Sequence, residues 1–287
     1  MIHRYFLALI PLFGMTVILS LGLILPDAAT ATPRPRLIIA HDANYEPLVY
    51  EDEQHLPQGY LIDFWKHFGE ANNIDIQFKL GDWNETLSWI RTGQADIHGG
   101  LFFTKERNQF LNYQNTITAL SAGIYIANGQ SWNDFDTLPT GVVASGYSEH
   151  YMHTAWPNRP TQSFPQAKDM IRAAVNGTIQ AFIADEPVAV FYLRKFKAKE
   201  AFSKHDVAYS NALKVAVAKD RHDLASLIEH GWARMDPKKL KYIRSKWFLD
   251  VEKDRDWALT GILIAALVMF FGLLCRILNG RYAAPKS

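Results

Sequence analysis

The chain has 287 residues, 48% of them hydrophobic, with 30 lysines and arginines against 29 aspartates and glutamates and a formal net charge of +1 at pH 7. So even a balance excludes the basic surface of a nucleic-acid-binding protein and the charge excess of a disordered tail. A single cysteine, Cys275, excludes an internal disulfide and any cysteine-based zinc site, and no cofactor is expected.

In chain order, His3 and Arg4 precede an apolar run from Tyr5 to Leu25, and Ala29-Thr30-Ala31 then offers a small-x-small cleavage site. Residues 1–31 are expected to be an export signal, cleaved or retained as a membrane anchor, since the run exceeds the usual signal core. LIIAHDA (Leu37 to Ala43) reads as a buried strand, and LIDFWKHFGEANN (Leu61 to Asn73) carries apolar residues at helical spacing. IDIQFKL alternates as a strand. WNETLSWIRTG places Trp83, Leu87 and Ile90 on one helical face, with Gly93 as C-cap. ADIHGG is a strand ending in glycines. Strand and helix alternate, which predicts an α/β fold with a mostly parallel sheet.

GGLFFTKERNQFLNY, Gly99 to Tyr113, then sets Thr104 and Arg107 behind an apolar run. Either Thr104 caps a surface helix and Arg107 points into water, or the two hold an anion. An arginine at an exposed helix start is expected to add little stability. A second series follows: GVVAS (Gly141 to Ser145) as strand, AKDMIRAAVNG as helix, IQAFIAD as strand, and PVAVFYLRKF as a helix with Pro187 in its first turn. After Ser210 come one more strand, LKVAVAKD, a helix from Asp223 to about Met235, and a short helix ending in KWF. The pattern predicts two similar lobes joined by two crossings around a cleft, the usual place for a small ligand. The first lobe takes residues 36–126 and 211–250, the second 127–210, within an exported domain of residues 33–252.

From Ala258 to Cys275 the chain is uncharged, with Trp257 before the run and Arg276, Arg281 and Lys286 after it. At about 1.5 Å per residue the run covers most of the hydrocarbon core. It predicts a transmembrane helix over 257–278 and a cytoplasmic tail of residues 279–287.

Taken together, ANYEPLVY, QGYLIDFWKHFGE, DWNETLSWIRTGQADI, TKERNQFLNY, GYSEHYM, NGTIQAFIADEPVAVFYL and the closing GWARMDPKKLKYIRSKWF resemble the family 3 bacterial extracellular solute-binding proteins over nearly all of residues 36 to 250. With one membrane helix behind it, the segment is also similar to the periplasmic sensing domains of histidine kinases and diguanylate cyclases. The resemblance implies a type II periplasmic-binding-protein-like fold whose lobes close on an amino acid or related carboxylate. By position it implies that Thr104 and Arg107 hold a ligand carboxylate, Asp185 holds an ammonium and Tyr45 covers the ligand, with Ser145 and Ser148 on the second lobe. Trp83, Phe102 and Gly100 are possible further contacts. Phe102 and Gly100 stand where the family often has small hydroxylated residues, and the Asp96-to-Thr104 interval is one residue short, which leaves the ligand open.

The chemistry of the residues agrees, because a guanidinium fork matches a carboxylate and a capped helix start aims N–H groups at an anion. Asp185 could equally be the N-cap of the helix behind it, Ser148 a helix cap, Tyr45 plain packing, and His98 a satisfied strand histidine. The expected function is a receptor on the inner membrane, its main domain in the periplasm, signalling through a partner protein. The alternative is the binding component of an importer with a permease partner. An enzyme of the dehydratase kind would need an acid or base in the cleft, and only Glu186 and His98 offer themselves; no catalytic role is expected.

Overall fold

The computed structural model describes residues 34–248 and 264–271. The expected export signal and cytoplasmic tail lie outside these residues. β1 (Arg36–Asp42) is buried on both faces, as a central parallel strand must be. A small antiparallel sheet follows, β2 (Asn44–Tyr45), β3 (Val49–Glu51) and β4 (Pro57–Gln58). α1 (Tyr60–Asn72) buries Leu61, Phe64, Trp65 and Phe68, the stripe its spacing predicts, and stops at Asn73 in the left-handed region (φ 55°). β5 (Asp75–Gly81) leads to α2 (Trp83–Arg91), where the Glu85 carboxylate accepts from the Asp82 N–H at 3.2 Å. β6 (Ile97–Leu101) is fully buried.

β7 (Leu111–Ala127) carries the chain across to β8 (Thr140–Val143), α3 (Tyr147–Ala155), β9 (Thr161–Phe164), α4 (Ala167–Val175), β10 (Ala181–Asp185) and α5 (Glu186–Lys195). β11 (Phe202–Ala218) carries it back to α6 (His222–Trp232) and to α7, residues 237–248. The strands form one sheet in the order β5-β1-β6-β11-β7-β10-β8-β9. β7 and β11 pair antiparallel along their whole length, from Phe202 against Ala127 to Ala218 against Leu111, with four shifts of register. β6 joins this ribbon near Val217, and β10 joins it at Ala122 to Ile126. The fold is therefore two α/β lobes bridged by the ribbon.

Two sequence expectations need correction here. The last strand begins at Phe202, not after Ser210, because SKHDVAYSN is too polar to read as a strand and is held in the sheet by its ladder with β7. The following helix ends at Trp232 rather than Met235, and a turn separates it from α7.

The first lobe has a core of its own, and the core of the second continues across to Leu48, Leu61 and Phe102 of the first. Phe64, Trp65, Phe68 and Ile39 pack with Leu224 and Ile228 of α6 in the first lobe. Phe182, Met170, Ile171 and Tyr192 pack in the second. α7 closes against α1, with the Trp247 indole donating to the Asp63 carboxylate at 2.9 Å and Phe248 4.7 Å from the Tyr60 ring. Among the described residues no helix is long and apolar enough to cross a membrane. Most of the segment expected to do so, 257–278, lies outside them. Its residues 264–271 are helical and exposed, Met269 at 71% and Val268 at 67%.

Candidate functional site

The carboxyl ends of β1, β6, β8 and β10 converge on a cavity of about 90 Å³ between the lobes. Strand ends of an open α/β sheet are where side chains can gather without a crossing helix in the way. Asp42, Phe102 and Arg107 line it from the first lobe, Tyr147, Ser148 and Asp185 from the second.

Asp185 is the last residue of β10 and occupies the N-cap position of α5, yet its side chain makes no capping bond. The Tyr45 hydroxyl instead donates to Oδ2 across the cleft at 2.5 Å, and Oδ1 is buried with no hydrogen-bond partner. Burial pushes this carboxyl up to about 6, while the Tyr45 and Tyr209 hydroxyls beside it pull it down. Burial and the Asp185 charge together push the Tyr45 and Tyr209 phenols well up. The backbone of Asp185 thus belongs to the helix start and its carboxylate to the cleft.

Arg107 departs from expectation. It is 7% exposed and sits in a single 3₁₀ turn, Arg107–Gln109, because β7 begins at Leu111 and leaves no room for a helix. No helix dipole of any size stands behind it. The Thr104 hydroxyl accepts from the Arg107 N–H at 3.2 Å and shapes this turn, but Thr104 is buried and not on the cavity wall. Arg107 Nη1 donates to the Phe102 carbonyl at 3.1 Å, and Nη2 donates to the Ser145 carbonyl of the other lobe at 3.1 Å. Its guanidinium lies 4.7 Å over the Trp83 ring, and the Trp83 indole donates to the same Ser145 carbonyl at 3.0 Å. Burial lowers the arginine from its ordinary value without threatening its charge.

Ser145 contributes through its backbone. It is left-handed (φ 57°), its N–H donates to the Glu149 carboxylate at 2.7 Å, and its side chain is not part of the wall. Ser148 is not the cap of α3, a position held by Gly146; its hydroxyl accepts from the Val143 N–H at 3.2 Å. Gly100 faces the cavity with its backbone, since a Cβ there would point at Leu61 and Leu213 at 3.2 and 3.3 Å. Trp83 and Phe102 both line the cavity. A further link between the lobes joins Glu46 to the Tyr192 hydroxyl and, at 3.8 Å, to Lys195.

Asp42, Tyr147 and Tyr209 were missed in the sequence. Asp42 had a readable signal, a carboxylate ending a buried strand. Its carboxyl is pushed up to about 6, by burial first and then by the charges of Asp82 and Glu46, while the Asn44 N–H draws it down. His41 and His98 are buried beside it, their rings 5.4 Å apart, and burial holds His41 down at about 4 and His98 well down. His98 Nε2 meets the Thr86 hydroxyl at 3.2 Å. Among the described residues no cluster of histidine, cysteine, aspartate or glutamate could hold a metal.

The family profile of bacterial extracellular solute-binding proteins, family 3, matches residues 37–250. No curated protein sequence matches the chain. Among solved structures, a histidine kinase sensor domain with similarity to periplasmic binding proteins superposes with a TM-score of 0.69 at 17% identity, covering 75% of this chain and 96% of its own. A putative binding component of an ABC transporter from Wolinella succinogenes, complexed with lysine, has a TM-score of 0.69 at 18% identity, covering 77% and 98%. An ancestral arginine-binding protein bound to arginine has a TM-score of 0.68 at 20% identity, covering 75% and 99%.

Proposed function

Because the chain belongs to the bacterial extracellular solute-binding proteins, family 3, we propose that it is a membrane-held receptor whose lobes close on a small amino-acid-like solute. The observation that carries this is Asp185. A carboxylate raised by burial, with one oxygen bonded across the cleft, the other in no well-formed hydrogen bond and the Tyr209 hydroxyl beside it, sits on the wall of the interlobe cavity. A buried acceptor left unsatisfied costs roughly 1–3 kcal/mol, so a ligand bearing an ammonium group relieves that cost as it binds. Arg107 supplies the opposite charge on the other lobe. Closure is then a population shift set by contacts that exist only when the lobes meet.

The relatives cited above include a kinase sensor domain and a transporter binding component, and both uses are open to this fold. We favour sensing through a partner protein, with import as the alternative, because a binding component free to diffuse has no need of an apolar stretch such as 257–278. Exposure of Ile264, Val268 and Phe271 supports a membrane around that stretch. Of the cavity's own carboxyls, Asp185 is read as the ammonium partner, and the acid and base named for a dehydratase do not line the cavity, which favours binding. His98 is fully buried on Thr86, and Glu186 is ion-paired to Lys204 at 2.6 Å, away from the cavity wall.

A thermal-shift screen against amino acids and small carboxylates tests the reading. A ligand at 100 times its Kd adds about 2.7 kcal/mol to the folded state. No stabilisation by any of them would remove the proposal. Alkaline phosphatase fused after Asp250 should be active and after Arg281 inactive, and the reverse pattern would refute the membrane topology.

A further inference from the structure

One wall of the cavity is aromatic and braced. Phe102 is 5% exposed, its ring 5.3 Å from Tyr147 and 6.0 Å from Tyr209, and those two rings are 4.8 Å apart. Three rings in mutual edge contact resist displacement, because moving one breaks two favourable pairs. The Trp83 ring, held under Arg107, closes a further side. What remains is a cavity of about 90 Å³. Cavities that enclose larger ligands run to about 300–1,000 Å³. An ammonium and a carboxylate joined through one carbon fill such a space; the long side chain of lysine, arginine or glutamine does not enter it.

We propose that the cleft takes a small α-amino acid, of the size of glycine, alanine or serine, and that the Phe102 ring, braced by Tyr147 and Tyr209, sets this limit. The inference rests on the reading of the cleft as an amino-acid site and adds the size of its ligand. Gly100, whose missing side chain would lie in the core, opens no extra room for the ligand. Size selection therefore falls on Phe102. Its removal enlarges the cavity on the side that Tyr147 and Tyr209 already line.

The test is a titration of the full-length chain by calorimetry with glycine, alanine, serine, glutamine, lysine and arginine. It is repeated for Phe102→Ala and for the milder Phe102→Leu. Wild type should bind at least one small amino acid and reject the three large ones by on the order of tenfold or more. Phe102→Ala should gain at least one large ligand by a similar factor, a gain that misfolding cannot mimic. If Phe102→Ala does not fold, Phe102→Leu carries the same prediction with a smaller gain. Wild type binding arginine or glutamine as tightly as alanine overturns the size limit and leaves the amino-acid site standing. Selection for small ligands that persists unchanged in the folded variant overturns the role of Phe102. If no amino acid of either size binds wild type, the amino-acid reading falls, and the size limit with it.

Discussion

Replacing Asp185 by asparagine keeps the size of the side chain and removes its charge. Burial raises the carboxyl from its ordinary 3.8 to about 6. At about 1.4 kcal/mol per pH unit, that is about 3 kcal/mol of stability withheld from the folded state once the group is ionised. For an acid whose value is raised on folding, the loss is absent below about pH 4, where both states are protonated. It grows as pH rises from 3.8 to about 6 and is complete above that. The asparagine carbonyl can still accept from Tyr45, but the amide N–H groups take the place of an oxygen that has no hydrogen-bond partner and are themselves left without an acceptor, which costs back about 1 kcal/mol. Asp185→Asn is therefore expected to be more stable than wild type by about 2 kcal/mol at pH 7.5 and no more stable near pH 4. Wild type alone would hide this, because His41, held down at about 4, loses stability as pH falls from 6.5 and so opposes Asp185 over the same range. Urea unfolding of both proteins, followed by tryptophan fluorescence at pH 4.5, 6 and 7.5, isolates the difference. A gap that does not change with pH refutes the argument that burial raises the Asp185 carboxyl.

Asp185→Asn should also weaken binding of an amino acid while leaving a deaminated analogue nearly unaffected, as read by calorimetry. Arg107→Met should lower stability by about 1–3 kcal/mol in urea unfolding and abolish ligand binding, because it removes one of two donors to the Phe102 carbonyl, leaving the Tyr113 hydroxyl, and one of two donors to the Ser145 carbonyl; a cost within 0.5 kcal/mol would show the side chain to be solvated. Trp83→Phe keeps the ring under Arg107 and deletes the bond to the Ser145 carbonyl, so it should cost about 1 kcal/mol and enlarge the ligand-free radius of gyration in small-angle scattering. Gly231→Ala should cost about 1–3 kcal/mol in thermal unfolding, since its methyl would meet the Phe68 ring at 2.6 Å.

The local rules carried the lobes. Leu61, Phe64, Trp65 and Phe68 recur at helical spacing, and that stripe is the face α1 buries. Pro187 starts α5 because its missing N–H is no loss in a first turn. Contacts made between lobes left no such trace. Nothing near Arg107 in sequence says that its guanidinium meets a carbonyl 38 residues away on another lobe, or that Trp83 meets the same one. The resemblance named Tyr45 and Asp185, which both line the cavity, whereas reading Thr104 as a cap placed a helix behind it. A strand starting at Leu111 cuts that helix to one turn. Asp42 was passed over because a carboxylate at a strand end reads as a turn residue until the other strand ends are seen to converge on it.

The β7–β11 ribbon has a mechanical consequence. The second lobe lies wholly between the two crossings, so β1 and α7, where the chain enters and leaves the described domain, both belong to the first lobe. The chain joins the second lobe to the first through two antiparallel strands, a torsion bar, while Tyr45, Arg107, Trp83 and Glu46 bond to it across the cleft. The four register shifts in the bar are its compliant points, since bulged pairs twist more readily than regular ones.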